Sequence, residues 1–248
     1  MNDSQILNIA AETGKLLLLG GAESFRIEET VERVGKALGA TLTCYVTLTA
    51  VIVSTKNSSQ TKVIKARPSG FNLQTVDEIN TLSRNLESKN ISAKQYENGI
   101  ITIKHHIKDF SPLLKNISAG IVSVAPSLYG SYFWTQYILM FTTGVVGYSM
   151  YIMLKKRIPI PYSGELVSSF IIGVMTTVEY RFGIAPDFMG ITLGSLMPLV
   201  PGLAITNSIR EIINGEIIAG SVRAMDAILC VCALVIGIKA SVELLSHI

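Results

Sequence analysis

The residues best placed to do chemistry are a few polar and charged groups set within very apolar stretches. Phe188 to Ile209 are 22 residues without a charge, and their middle reads MPLVPG, with Pro198 and Pro201 three apart and Gly202 directly after. At about 1.5 Å per residue, such a helix covers a hydrocarbon core of roughly 30 Å. Each proline removes a backbone donor and clashes with the preceding turn, so the carbonyls of Gly194 and Met197 lose their usual helical partners. A helix broken at mid-membrane offers carbonyls to a cation or an ammonium group. It also offers a new helix N-terminus, near Gly202, to a carboxylate. Broken backbone is tolerated at that depth only where it is buried in protein or lines a polar cavity, and discontinuous helices build many transporter sites. A kink without a ligand is the plain alternative.

Past the break, Thr206 and Arg210 share one helix face, and Asn207 and Glu211 share the next. Thr206 and Asn207 can exchange hydrogen bonds with a polar substrate. Arg210 can recruit an anion or anchor the helix at the cytoplasmic interface. With Pro198, Pro201 and Gly202 they form the candidate substrate site. For proton coupling the first candidate is Glu165, which stands early in an apolar stretch without a local partner, followed by Asp187 and Asp226. Ionisable groups inside a membrane are costly and usually have a task, although end-of-helix pairs such as Lys239 and Glu243 can also snorkel. Near the N-terminus, Glu23, Arg26 and Glu29 recur at i, i+3 and i+6. They read either as a solvated face with weak ion pairs or as the ligand-reading motif of a sensor.

Other chemistries are poorly served. Cys44, Cys230 and Cys232 have no metal-ligand spacing, and His105 and His106 are adjacent and so face apart on a helix. No serine, cysteine or zinc-ligand constellation appears in the apolar segments, so neither an enzyme nor a bound metal or cofactor is expected. The net charge of +3 comes without any basic stripe, which argues against nucleic acid.

The elements that position these groups follow from the distribution of charge. The chain has 248 residues, 49% hydrophobic and 16% charged, with a mean hydropathy of +0.44, too apolar for an ordinary soluble domain. Residues 1–116 hold 25 of the charged side chains and the longer remainder only 14. The expected fold is therefore an α+β domain over 1–115 followed by an all-α membrane domain over 116–248. In the first, residues 4–19 suggest an amphipathic helix ended by Gly20 and Gly21. A second helix carries Phe25, Ile27, Val31, Val34 and Leu38. Leu42 to Ser54 and Thr61 to Ala66 read as a β-hairpin, and helices are expected over 73–87 and 92–107. The leucine run Leu16 to Leu19 is short and preceded by Glu12 and Lys15, so this domain is expected to stay on the synthesis side of the membrane.

Asn116 to Leu154 are 39 residues without a charge, enough for two crossings that reverse near Pro126 and the aromatic patch up to Trp134. A third crossing is expected over 162–178, with a loop from Glu179 to Asp187. The broken helix is fourth and Ala224 to Leu245 fifth. With five spans, Lys104, Lys108 and Lys115, then Lys155, Lys156 and Arg157, then Arg210 and Arg223 all fall on one side, which predicts a cytoplasmic N-terminal domain. Five spans also suit one half of an inverted-topology pair.

The segments GAESFRIEETVERVGKALGA and PDFMGITLGSLMPLVPGLAITNSIREIINGEIIAGSVRAMDA closely resemble the threonine/serine exporter family, in its form split into two polypeptides. The resemblance covers nearly the whole chain. It implies a polar N-terminal domain, about five transmembrane helices, and ion-gradient-driven export of threonine and serine or of a dicarboxylate such as succinate. It further implies a multi-pass protein of the inner membrane, part of a hetero-oligomer in which a smaller multi-pass subunit supplies the second half. A membrane-bound sensor or regulatory subunit, reading its ligand through the N-terminal domain, is the alternative.

Overall fold

The computed structural model describes residues 1–56, 60–66, 70–105, 110–130 and 132–246. His106 and Lys108, and with them the end of the helix expected over 92–107, lie outside the described residues. Two compact units form, one of Met1–Lys108 with Ala204–Ala224 and the other of Asp109–Leu203 with Met225–Ile248.

In the first unit, helix α1 (Asp3–Leu19) opens with a capping box in which Asn2 and Gln5 satisfy each other's backbone donors. It is buried on most of its circumference because it packs on α2, on the sheet and on both later helices of the unit, and Gln5, Asn8, Glu12, Lys15 and Leu19 form the narrow less-buried stripe of an amphipathic helix. A Cβ at Gly14 would stand 2.8 Å from Val51, so glycine is what lets α1 lie this close to the sheet. Helix α2 (Ser24–Ala37) buries Ile27, Thr30, Val31 and Val34 on one stripe. Strands β1 (Leu42–Thr47), β2 (Ala50–Thr55) and β3 (Thr61–Lys65) form an antiparallel meander in that order. The stretch read as one strand, Leu42 to Ser54, thus folds back at Leu48 and Thr49, and Thr47 pairs with Ala50. Leu42, Cys44 and Val46 alternate into the core with Val51, Val53 and Thr55. At the free edge of β1, the carboxylates of Glu28 and Glu32 on α2 accept the amides of Val46 (2.8 Å) and Cys44 (3.2 Å). Two donors that would invite a foreign strand are thereby occupied. Helices α3 (Leu73–Glu87) and α4 (Ala93–His105) complete this core, where Tyr96 and Thr13 share a fully buried hydroxyl contact of 3.0 Å.

The second unit buries many hydroxyl side chains beside two small apolar clusters, Met140 with Ile191 and Ile172 with Leu199 and Leu234. It contains α5 (Pro112–Val124) with a following 3-10 turn to Tyr129, then α6 (Trp134–Arg157), α7 (Ser163–Arg181) and α8 (Phe188–Leu196). Most of α10 (Ile217–Ser246) also belongs here, whereas its first residues and most of α9 (Gly202–Ile213) belong to the first unit. Ser123, Thr143, Ser168, Ser169, Thr176 and Ser241 are fully buried, while Trp134, Ile138, Leu193, Val235 and Ile236 lie exposed. An apolar outside over an inside rich in small polar side chains is the arrangement of helices in lipid, where close backbone packing and interhelical hydrogen bonds replace the hydrophobic effect. Gly144 fits against Ser123, and Gly237 against Ser169 and the Leu166 carbonyl, at contacts that leave no room for a Cβ. Helices α6 and α10 are long and apolar enough to span a membrane, and α8 with α9 makes a third span if the bent pair counts as one. The protein is therefore a membrane protein, mostly helical, with one small sheet among the described residues.

Candidate functional site

The two prolines do what their chemistry requires. Helix α8 begins at Asp187, whose Oδ1 accepts the amide of Gly190 at 3.0 Å, and runs only to Leu196. A 3-10 turn follows over Met197–Leu199, Val200 is extended (φ −69°, ψ 129°), and α9 restarts at Gly202. The carbonyls deprived of i+4 donors are taken up one residue earlier. Met197 donates to Gly194, and Val200 donates to Met197 at 3.2 Å. The break is thus a tightened turn and not a row of orphaned carbonyls, although each carbonyl keeps a second lone pair. Met197 and Pro198 line an open groove of about 420 Å³ together with Leu114, Lys115, Ser118 and Tyr148. Its walls are largely apolar, with one ammonium and two hydroxyls. Such a composition suits a small polar molecule or the flank of another helix.

Thr206, Asn207 and Arg210 belong to the first unit, whereas Pro198, Pro201 and Gly202 belong to the second. Along α9, the Asn207 amide donates to the Gly21 carbonyl (3.4 Å) and Arg210 reaches Glu23 Oε1 (3.1 Å), while Thr206 is exposed. Glu23 is buried and also holds Arg26 through Oε2 at 2.8 Å, so one carboxylate is shared by two guanidiniums that are each more than half exposed. Beside it sits a group that sequence reasoning did not select. Glu211 is 0% exposed and forms a bidentate pair with Arg223, itself 5% exposed, at 3.0 and 2.9 Å. Glu211 Oε1 also accepts the backbone amide and the hydroxyl of Ser24, at 3.0 and 3.1 Å. Ser24 is the first residue of α2, and the Glu23 side chain at the N-cap makes no capping bond. Glu211 therefore caps α2 from another helix, and its charge faces the positive end of the helix dipole.

The remaining candidates are dispersed. Glu29 makes a 3.8 Å pair with Arg33 and is 70% exposed. Glu165 lies half-buried in the first turn of α7, Asp187 caps α8, and Asp226 Oδ1 accepts the Tyr162 hydroxyl at 2.6 Å. Glu179, which the sequence places in a loop, stands in the last turn of α7 with Thr143 donating to its Oε1 at 3.0 Å. Glu211 carried a partial signal, since it shares a face with Asn207. Its partners Ser24 and Arg223 have no sequence spacing that announces them. Among the described residues no cluster of histidine, cysteine and carboxylate side chains could hold a metal.

A family profile described as "Putative threonine/serine exporter" matches residues 8–245. The chain is 22% identical over 237 residues to a Klebsiella aerogenes protein named "Probable succinate transporter subunit YjjP", covering 94% of this chain and 91% of that one. It is also 22% identical over 255 residues to the protein of the same name from Escherichia coli K12, at 94% and 92% coverage. No solved structure matches.

Proposed function

Because the chain belongs to the threonine/serine exporter family, we propose that it is the larger subunit of a secondary-active exporter of small polar metabolites. Threonine and serine, or a dicarboxylate such as succinate, are the substrates to test first, given the family and the relatives' name. The observation that carries this reading is the interruption of an apolar helix at Met197–Pro201, beside a groove, within a unit that buries many small hydroxyl side chains and exposes large apolar ones. A ligand site at mid-membrane needs such a place, because irregular backbone there must be shielded from lipid.

The membrane domain takes 116–248 and makes five crossings. Besides α6, α10 and the bent pair, α5 with its 3-10 turn spans about 30 Å and the 19 residues of α7 about 28 Å, each close to the hydrocarbon thickness. The domain over 1–115 is cytoplasmic and the protein resides in the inner membrane, with Lys155, Lys156 and Arg157 on the cytoplasmic side. A smaller multi-pass subunit supplies the second half, and its own broken helix meets the break at Pro198 and Pro201. That the relatives are named subunits supports a partner. Gly202, Thr206, Asn207 and Arg210 recruit and hold the substrate along α9, and Glu165, with Asp187 and Asp226 behind it, serves coupling.

The test is flux. Vesicles carrying this chain with its partner are loaded with labelled threonine, serine or succinate, and efflux is followed under an imposed ion gradient. Wild type moves at least one of the three, and Pro198→Ala with Pro201→Ala abolishes movement in a complex that still assembles. Unchanged efflux by that variant would sink the role of the break. Absence of flux in the wild type would favour a regulatory subunit.

A further inference from the structure

Helix α7 carries a buried polar stripe with a carboxylate near each end. Glu165, Ser168, Ile172, Thr176 and Glu179 follow at steps of three and four, with Ser169, Gly173 and Thr177 on the adjoining row. Every member of the two rows between the glutamates is buried. The two carboxylates are about 21 Å apart along the helix. At the far end the stripe continues into neighbouring helices, where Thr176 accepts a 3.0 Å hydrogen bond from Thr192 of α8 and Thr143 of α6 reaches Glu179.

The carboxyl group of Glu179 is held on one side only. Its Oε1 accepts from Thr143, while Oε2 is buried and has no hydrogen-bond partner among the described residues. The Ser168 hydroxyl, one of the fully buried members of the stripe, is likewise without a partner. No cation reaches Glu179 within ion-pair distance among the described residues. Arg181, two residues on, donates instead to the Leu245 carbonyl, and Asp187 at the head of α8 is engaged with Gly190. The other titratable groups that the packed elements bring to this end are Tyr180 of α7, Tyr132 and Tyr137 at the start of α6, and Lys239 and Glu243 of α10. Among the described residues none of them forms a hydrogen bond or ion pair with Glu179. A carboxylate in a membrane unit with no counter-ion and one unshared oxygen is a receptor for a small cation, and a proton is the one that needs no further ligands.

We propose that Glu179 is a proton-binding residue of the transport cycle, at the opposite end of α7 from Glu165. This rests on the exporter reading given above. In the orientation proposed there, Glu179 lies at the outer end of α7, where an inward proton gradient loads it, and Glu165 at the cytoplasmic end, where the proton leaves. One proton adds to Oε2 and the carboxylate becomes a neutral acid, with Thr143 still donating to Oε1. Ser168 and Ser169 toward one glutamate and Thr176 and Thr177 toward the other supply hydroxyls that screen the charge, with Ile172 and Gly173 between them. Sequence spacing alone conceals the assignment, since the ending Glu179, Tyr180, Arg181 reads as a hydrophilic loop.

The experiment uses the complete complex in vesicles with threonine, serine and succinate as probes. Gradient-driven accumulation and gradient-free counterflow are both measured across a pH series. Glu179→Gln should lose gradient-driven accumulation and the pH dependence of counterflow while retaining counterflow itself, and Glu179→Asp should restore pH dependence. Should the glutamine variant fail to assemble, Thr143→Val keeps the carboxyl and takes away its one donor, so the midpoint of the pH profile must move. Gradient-driven, pH-dependent accumulation by Glu179→Gln at the wild-type level overturns the assignment of Glu179 and leaves the exporter reading standing, as does an unmoved midpoint in Thr143→Val. No flux by wild type with any probe overturns both.

Discussion

Replacing Arg223 by methionine tests the buried cap on α2. In the wild type, Glu211 has four donors, two from Arg223 and two from Ser24, and no access to water. Arg223→Met removes half of these and leaves a buried carboxylate with no counter-charge, and breaking a buried pair from one side costs about 3–5 kcal/mol. Adding Glu211→Leu removes the stranded charge. The remaining cost is then an uncapped amide and hydroxyl at Ser24, about 1–3 kcal/mol. The double variant should therefore be more stable than Arg223→Met alone, by about 2 kcal/mol. Amide hydrogen exchange reads this locally, without assuming that a membrane protein unfolds in one step. In Arg223→Met, protection of the amides from Ser24 to Ile27 should fall on the order of a hundredfold, with β2 and α6 unaffected, and the double variant should regain part of the loss. A loss below about threefold in the single variant, or a double variant worse than both singles, would refute the trans-capping argument.

Glu28 supplies a pH test in the same unit. Burial, opposed by the hydrogen bond from Val46 and aided by the charges of Glu216 and Glu32, raises its carboxyl above the ordinary value. The folded form thus binds the proton more tightly than the unfolded form. Its stabilising contribution is complete below the unfolded carboxylate value of about 4.3 and is lost as pH rises through the folded value. Glu28→Gln keeps an acceptor for Val46 and should be more stable than wild type at neutral pH. The gain should vanish in acid, as a denaturation series at several pH values would show. Cys44 is buried on β1, and burial together with Glu28 and Glu32 pushes its thiol from 9.0 up to about 12. At neutral pH its thiolate fraction is about a thousandfold below that of an unperturbed thiol. Maleimide labelling of folded protein should therefore leave Cys44 unmodified over times that label it fully after denaturation.

The helix break, the apolar run from Asn116 to Leu154 and the β-branched stretches were legible in the sequence because they depend on local chemistry. Proline has no amide wherever it stands, and a span of given length needs a given number of uncharged residues. Periodicity likewise marked the buried stripe of α2. It marked the buried face of α1 as well but not the width of that face, which is set by neighbours distant in sequence, such as Tyr96 against Thr13, 83 residues away. The turn at Leu48 and Thr49 lacked the glycine or asparagine signal that marks most two-residue hairpins, so three strands read as two.

The sequence by itself determined that this is a charge-poor chain with a helix interrupted at Pro198 and Pro201, because those facts are set within one turn of the backbone. Tertiary structure alone decided which charges matter to one another. Glu211 meets Ser24 across 187 positions of chain and Arg223 across 12, and neither separation is a helical or strand period. Glu179 and Thr143, 36 residues apart and on different helices, likewise meet only through folding. A carboxylate's chemistry is fixed by who stands within about 3 Å of it and by whether water can reach it, and folding settles both by bringing distant segments together.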